Sequence, residues 1–240
     1  MKLKIILVLA FMQMLFNGFA QQQSPFYKTK TFKTLAAPTA LITYGLVCNG
    51  SQGWPSSHDV RQFRQKHLAN FNVSFDDYLV FAPALAVYAL DLAKVKSKHD
   101  VLNQTLLFAK TTALTMGVVY ALKYTTHETR PDGSNQYSFP SGHTAMAFAL
   151  AEVLHQEFKA TNKWIGTLGY ATAASVGALR MANNKHWFND VMVGAGIGML
   201  ATKVVYLTHQ NKYKTKWLNN SACLPMVGNK QLGLSLVHAF

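Results

Sequence analysis

The sequence predicts an all-α protein, folded as a bundle of about six core helices. Apolar runs of helical length recur along the 240 residues, and half of all residues are apolar. Stretches rich in Gly, Pro, Asn and Ser separate these runs, as expected of turns between helices. The runs lie at about residues 36–48, 77–93, 100–122, 142–157, 164–182 and 187–207.

The first twenty residues are predicted to be a signal peptide and are left out of the fold. A positive region, an apolar stretch and a small-x-small cleavage pattern follow one another: Lys2 and Lys4, Ile5 to Phe16, and Gly18-Phe19-Ala20. An uncleaved first membrane helix is the alternative. We therefore expect export to the cell envelope, a helical domain over residues 21–220 and a C-terminal tail over 221–240.

A shorter amphipathic segment, Val60 to Leu68, precedes the second core run, and Ser57 is placed to cap its start. Most uncharged stretches of the core runs are shorter than the ~20 residues of a membrane span. Charged residues interrupt or close four of the runs: Asp91, Lys110, Glu152 and Lys203. We therefore expect a globular helical domain, periplasmic or membrane-associated, with a multi-span membrane protein as the alternative.

Three glycines in VGAGIGML, at Gly194, Gly196 and Gly198, predict close packing of the last core helix against its neighbours. They lack the GxGxxG spacing of a dinucleotide-binding loop, and no predicted strand precedes them. Further along, alternating apolar residues around a Gly228-Asn229 turn predict a small C-terminal β-hairpin.

The formal net charge of +13 favours anionic partners, namely nucleic acid, anionic lipid surfaces or phosphorylated substrates. Because the basic residues are scattered and form no ladder with aromatic residues, we expect no nucleic-acid binding. The two cysteines, Cys48 and Cys223, either form a disulfide in the exported protein or are two small buried side chains. No Cys or Cys/His spacing indicates structural zinc.

Three segments carry side chains that suit a phosphate group. In order they are KYTTHETRP with Lys123 and Arg130, PSGH with Ser141, Gly142 and His143, and RMANNKHWFND with Arg180, His186 and Asp190. Taken singly, each has an ordinary explanation: a basic helix terminus, a helix cap, and a surface His–Asp pair on one helical face.

Taken together, the segments predict an anion site. Free amides at the helix start near Ser141 attract an oxyanion, and Gly142 allows it to approach the backbone closely. The side chains of Lys123, Arg130 and Arg180 can surround the same anion, and guanidinium groups match phosphate oxygens bidentately. These three fixed cations supply the charge stabilisation that a metal otherwise provides, so we expect no metal and no cofactor.

The same segments also predict acid–base and nucleophilic chemistry. Asp190 can hold one ring nitrogen of His186 as N–H, which leaves the other nitrogen unprotonated and nucleophilic. His143 can then give a proton to the departing alkoxide.

In this order, K-x6-RP, PSGH and R-x5-H-x3-D resemble the three-part signature of the type 2 phosphatidic acid phosphatase (PAP2) superfamily. That superfamily includes bacterial acid phosphatases and vanadium-dependent haloperoxidases. The motifs run from Lys123 to Asp190, and the helical pattern extends the resemblance over most of the mature chain. The resemblance implies a metal-independent phosphatase that hydrolyses phosphate monoesters, chiefly lipid phosphates, through a phosphohistidine intermediate.

The resemblance also implies a role for each motif residue. His186 is the expected nucleophile, Asp190 its orienting partner, and His143 the general acid and later the base that activates water. The expected phosphoryl-binding residues are Lys123, Arg130, Ser141, Gly142 and Arg180. Where the superfamily commonly has Ser before the third-motif arginine, this chain has Leu179, which puts one hydrogen bond to the phosphate in question.

Other functions stay open at this point. The same anion site would hold vanadate in a haloperoxidase, and a non-catalytic lipid-binding membrane protein could keep the helical scaffold. A zinc site formed by His127, His143, His186 and Asp190 is disfavoured, because no HExxH-type pair supports it and arginines repel a cation. The substrate is undecided among phosphatidate, phosphatidylglycerophosphate, polyprenyl diphosphate, lipid A phosphate and soluble esters. The Asp76-Asp77-Tyr78 turn either shapes access to the site or simply begins a helix.

Overall fold

A computed structural model of the chain describes residues 30–209 together with residues 221–228 and 231–238. The described part contains eight helices and one two-stranded hairpin, so the predicted all-α class is confirmed. The helices are α1 (Lys30–Val47), α2 (Ser57–His67), α3 (Asp76–Leu79), α4 (Ala82–Leu92), α5 (Val101–Thr126), α6 (Gly142–Phe158), α7 (Lys163–Ala182) and α8 (Phe188–Thr208). The predicted signal peptide lies outside the described residues.

The predicted run at 77–93 is two helices, α3 and α4, with a break at Val80 and Phe81. Pro83 is the second residue of α4 and has no backbone N–H, so it cannot continue a helical ladder from the carbonyl of Leu79. The break matters because the short α3 packs separately from α4, against α6 and α7.

The amphipathic segment is α2, but its cap is not the predicted one. Ser56, not Ser57, is the N-cap: its hydroxyl accepts from the amide of Asp59, whose carboxylate accepts from the amide of Ser56. Ser57 is buried instead, with its hydroxyl 2.7 Å from the Cys48 carbonyl and 2.8 Å from Oδ1 of Asn189. It therefore ties α2 to the end of α1 and the start of α8.

The core forms where α6 packs along both α7 and α8, and α8 packs along α1. The three glycines of α8 make these contacts, as predicted. A Cβ atom on Gly198 would lie 2.0 Å from the Ala145 carbonyl oxygen, and one on Gly194 would lie 2.7 Å from the Ser141 carbonyl oxygen. Gly196 faces α1 in the same way, 2.5 Å from Cγ1 of Ile42. The glycines thus set the spacing of the helices.

Two helices, α5 and α8, are long and apolar enough to cross a membrane by length and composition. The buried core helix of a globular domain passes the same test of length and composition, so the choice between a globular domain and a multi-span protein stays a prediction. The charges that interrupt the runs include an ion pair with a buried carboxylate: the ammonium of Lys203 lies 2.8 Å from Oε1 of Glu152, whose other oxygen accepts from the hydroxyl of Tyr170. An internal pair of this kind is compatible with an apolar surrounding.

The predicted C-terminal hairpin is present as β1 (Ser221–Gly228) and β2 (Gln231–His238), which pair antiparallel from Ser221↔His238 to Gly228↔Gln231. Gly228 is the last residue of β1, and the two residues between the strands lie outside the described part. Cys48 is a free, buried thiol. The side chain of Cys223 lies outside the described part, so the choice between a disulfide and two small buried side chains stays a prediction.

Candidate active site

The site forms at one end of the bundle, where four helix ends meet. The chain leaves α5 at Thr126 and enters α6 at Gly142, and it leaves α7 at Ala182 and enters α8 at Phe188. Each of the three predicted segments occupies one of these connections or the helix residues beside it. The motifs therefore lie together because the ends of α5 and α7 and the starts of α6 and α8 are at the same end of the bundle. In sequence, 67 positions separate Lys123 from Asp190 (190 − 123).

His186 and Asp190 form a buried pair, but not on one helical face and not at the surface. His186 precedes α8, and Asp190 lies in the first turn of that helix. Oδ2 of Asp190 lies 3.4 Å from Nδ1 of His186 and accepts from the amide of Trp187 at 2.9 Å. The hydroxyl of Ser138 donates to the same oxygen at 2.5 Å. Three contacts on one oxygen fix the carboxylate, and the carboxylate orients the ring.

Burial lowers the pKa of His186 to about 4. Asp190 works in the opposite direction, whereas Lys123 and Arg130 lower the pKa further. The imidazole is therefore neutral near pH 7. With Nδ1 facing a carboxylate, the proton belongs on Nδ1, and Nε2 keeps its lone pair. This is the protonation state that a histidine nucleophile requires.

Two cations come from the last turn of α5 and from the connection that follows it. The ammonium of Lys123 donates to the backbone carbonyls of Tyr137 and Ser138, and burial lowers its pKa to about 8. Arg130 is anchored by its backbone, whose amide donates to the Asn135 carbonyl at 3.0 Å. Burial, followed by the charge of Arg180, lowers the pKa of Arg130. Both groups stay cationic at neutral pH.

The start of α6 lies directly beside the start of α8. Ser141 is the N-cap of α6: its hydroxyl accepts from the amide of Thr144, and its own amide donates to the Asp190 carbonyl at 3.1 Å. The first amides of a helix have no intrahelical acceptor, so those of Gly142 and His143 are oriented to bind an anion. A Cβ atom on Gly142 would come no closer than 3.6 Å to a neighbour, and that neighbour is Cγ1 of Val119.

Arg180 and His143 share a carboxylate partner that the motifs do not contain. Nη1 of Arg180 lies 2.7 Å from Oδ2 of Asp76 and 3.3 Å from Oδ1 of Asp77. The same Oδ1 lies 2.9 Å from Nε2 of His143. Asp76 is also bonded to Asn183, at 3.1 Å, and is fully buried. The short α3 therefore joins the second and third motifs.

A cavity of about 410 Å³ lies against these residues. Five predicted site residues line it: Lys123, Arg130, Gly142, His143 and His186. The other three are buried and adjoin lining residues: Ser141 precedes Gly142, Arg180 contacts Asp77, and Asp190 contacts His186. The remaining wall is mainly apolar and aromatic, and it includes Val80, Phe81, Met116, Tyr120, Tyr124, Tyr137 and Met146. The cavity thus joins a cationic, imidazole-bearing floor to an apolar wall.

Three residues of the site were not predicted from the motifs: Ser138, Asp76 and Asp77. Ser138 lies in the stretch before PSGH, and its contact with Asp190 has no sequence signal beyond that proximity. The Asp76-Asp77-Tyr78 turn begins α3, and Asp77, the second residue of that helix, also lines the cavity. In the described part of the chain, no group of three or more His, Cys, Asp or Glu side chains is placed to hold a metal ion.

Residues 104–214 match the model of the PAP2 superfamily. The match contains all three motifs, so the resemblance predicted from them is confirmed over this segment. A lipid A 1-phosphatase of Porphyromonas gingivalis is 34% identical over 149 residues, which are 62% of this chain and 34% of that protein. The chain therefore spans about a third of the length of that curated relative.

Two crystal structures are also similar to the chain. LpxE of Aquifex aeolicus has 21% sequence identity and a TM-score of 0.46, with 61% of this chain and 93% of that one covered. The PAP2-type phosphatidylglycerolphosphate phosphatase of Bacillus subtilis has 18% identity and a TM-score of 0.46, with 71% and 94% covered.

Proposed function

We propose that this chain is a phosphatase that hydrolyses phosphate monoesters, with His186 as the nucleophile. The observation that carries the proposal is the cavity lined jointly by Lys123, Arg130, His143 and His186. A nucleophile, an acid and cations around one space are what phosphoryl transfer needs, since catalysis of that reaction is mostly positioning and charge stabilisation.

Unpaired donors support phosphate as the occupant. The Nε atoms of Arg130 and Arg180 are buried and have no hydrogen-bond partner among the described residues. A buried donor without an acceptor destabilises the protein by about 1–3 kcal/mol, and a phosphoryl oxygen that accepts from it removes this penalty when it binds. Together with Lys123 and the amides of Gly142 and His143, these groups can hold the three non-bridging oxygens without a metal or another cofactor.

In the first step, Nε2 of His186 attacks phosphorus with its lone pair, and the bond from phosphorus to the ester oxygen breaks. The proton on His143 passes to that oxygen, so the alcohol leaves neutral. The ring of His186 becomes positively charged in the phosphohistidine, and Asp190 stabilises this charge. The cations hold the equatorial oxygens throughout.

In the second step, the neutral ring of His143 takes a proton from water while the water oxygen attacks phosphorus. The bond between phosphorus and Nε2 breaks, its electrons return to His186, and inorganic phosphate leaves. His143 is then protonated and His186 neutral, as at the start. The roles proposed for Ser141 and Gly142 are to shape the helix start that binds the phosphoryl oxygens.

The apolar wall favours a lipid phosphate over a small soluble ester. Phe81, Tyr120 and Tyr124 line the cavity, and each is at least half exposed, so the apolar surface continues from the cavity to the outside. A lipid chain can lie along such a surface while its phosphate reaches the cations. The relative in P. gingivalis makes lipid A 1-phosphate the first substrate to test. We propose that the enzyme works at a membrane surface of the cell envelope, after export of residues 21–240.

The test is phosphate release by the purified mature chain from lipid A, phosphatidate, phosphatidylglycerophosphate, a polyprenyl diphosphate and a soluble ester, with and without chelator. We expect turnover that survives chelation, favours a lipid substrate and is inhibited competitively by vanadate. His186→Ala is expected to abolish turnover, whereas His67→Ala, an exposed histidine of α2, keeps it. Turnover by His186→Ala at the wild-type rate would refute the assigned nucleophile.

A further inference from the structure

Asp77 carries a carboxylate into the site from outside the three motifs. It lies in α3, lines the cavity, and its side chain is 53% exposed. Its neighbour Asp76 is nearly fully buried and has two fixed partners, Arg180 and Asn183. Two adjacent carboxylates therefore differ in setting: one is locked inside the protein, and the other faces the space where substrate binds.

The distances indicate which partner matters for Asp77. Asp76 already neutralises Arg180 at 2.7 Å, whereas Asp77 reaches the same nitrogen only at 3.3 Å. The shorter contact of Asp77, at 2.9 Å, is with Nε2 of His143. An imidazole nitrogen at this distance from a carboxylate carries a proton, because two acceptors would repel each other. The ring of His143 is therefore held with Nε2 as N–H.

We propose that Asp77 is a positioning residue of the site, which holds Nε2–H of His143 and so leaves Nδ1–H as the proton given to the leaving group. This inference rests on the proposed phosphatase function. In the transfer, the Nδ1 proton moves to the ester oxygen, the imidazolium becomes a neutral imidazole, and Nε2–H stays on Asp77. Each catalytic imidazole thus has its own aspartate, Asp190 for the nucleophile and Asp77 for the acid.

The charges around His143 explain why a carboxylate is needed there. Burial and the charge of Arg180 lower the pKa of His143, whereas Asp77 and Asp76 raise it. The other groups on the same cavity are Lys123 from α5, Arg130 from the following connection, and His186. Without Asp77, cations outnumber carboxylates around the ring, and the protonated form that serves as acid becomes rarer.

Asp77→Asn keeps the shape and removes the charge, Asp77→Glu keeps the charge, and Tyr78→Phe is the matched control on the exposed neighbour. The pH dependence of kcat/KM is measured for each. Loss of a nearby charge on a partly exposed pair shifts a pKa by ~1. In Asp77→Asn we therefore expect the decrease of kcat/KM at high pH (the basic limb) to begin ~1 pH unit lower than in wild type. At pH values above that limb kcat/KM should be ~10-fold lower, and at low pH it should change little. Asp77→Glu restores the limb, and Tyr78→Phe matches wild type.

Two results would overturn the proposal. One is an unshifted basic limb in Asp77→Asn. The other is an equal shift in Tyr78→Phe, because it would mean that the pH dependence does not report on the carboxylate of Asp77.

A second measurement does not depend on turnover. The ring protons of His143, assigned by comparison with His143→Gln, are titrated by NMR in the full mature chain with and without Asp77→Asn. A lower midpoint in Asp77→Asn supports the pair, and equal midpoints refute it, even for a protein that hydrolyses no phosphate ester. Absence of wild-type turnover would contradict the proposed function instead, so the two failures are distinguishable.

Discussion

Replacing Asp190 by asparagine tests the nucleophile assignment through one charge. The carboxylate is buried and accepts from Trp187 and Ser138 while facing His186. An asparagine can place its carbonyl oxygen at the Oδ2 position and keep these donors. Its NH2 group then falls at Oδ1, which is buried and has no partner among the described residues. We expect a fold that is retained at a cost of about 1–3 kcal/mol.

The expected loss of activity follows from the distance. His186 gains positive charge when its Nε2 bonds to phosphorus. Its Nδ1 lies 3.4 Å from the carboxylate oxygen Oδ2 of Asp190. Both side chains are buried. At an effective dielectric constant of about 20, two unit charges this far apart attract by about 5 kcal/mol. Because each 1.36 kcal/mol is a factor of ten in rate, and the charge is only partly developed in the transition state, we expect kcat to fall by about 10³.

The assay is single-turnover phosphate release, with Ser138→Ala as the matched control. That variant removes one hydrogen bond from Asp190 but keeps its charge, so kcat should fall only about fivefold, the effect of about 1 kcal/mol. Circular dichroism confirms that both variants fold. If Asp190→Asn turned over within a few-fold of wild type, the carboxylate would not stabilise charge on His186, and the assignment of His186 as nucleophile would be wrong.

Three further outcomes are expected. Gly117→Ala should stabilise the fold by ~1 kcal/mol, since a Cβ there meets nothing within 4 Å. Gly198→Ala should destabilise it by ~1–3 kcal/mol, because its Cβ clashes with α6. A change of Tm in the same direction for both variants would contradict this. With rising pH, kcat/KM should increase around pH 4, where His186 loses its proton. It should decrease again at a pH below the usual histidine pKa, where His143 loses its own proton. A maximum above pH 8 would be inconsistent with these pKa directions. Inhibition by inorganic phosphate should weaken above about pH 8, where Lys123 deprotonates, and Lys123→Gln should remove that step.

The part of the site that could be predicted from sequence is the part encoded in short spacings. Lys123 with Arg130, Ser141 to His143, and His186 with Asp190 each lie within a few residues of one another, at a helix end. Chain geometry alone keeps such groups close. The glycines of α8 were likewise predictable, because small residues at regular intervals in an apolar helix serve close packing wherever they occur.

The rest of the site depends on contacts between distant parts of the chain. Arg180 and Asp76 are 104 positions apart, and nothing in the local sequence of either residue indicates the other. The same holds for Ser57, which was expected to cap a helix and instead reaches Asn189 across 132 positions. His186 was expected on a helical face with Asp190, but the capping contact of Asp190 to the Trp187 amide starts the helix after His186.

The spacing of the two imidazoles is set by the backbone of the bundle. The amide of Ser141 donates to the Asp190 carbonyl, and the Ser141 carbonyl lies where a side chain on Gly194 would be. The start of α6, which carries His143, is therefore fixed against the first turns of α8, whose aspartate orients His186. Packed helices do not deform continuously, so a substrate cannot change this spacing cheaply. What a substrate can change is the cavity side of the site, where His143, Lys123 and the half-exposed carboxylate of Asp77 meet it. Differences in substrate preference among variants should therefore map to that side, and losses of turnover without loss of binding should map to the contacts between α6 and α8.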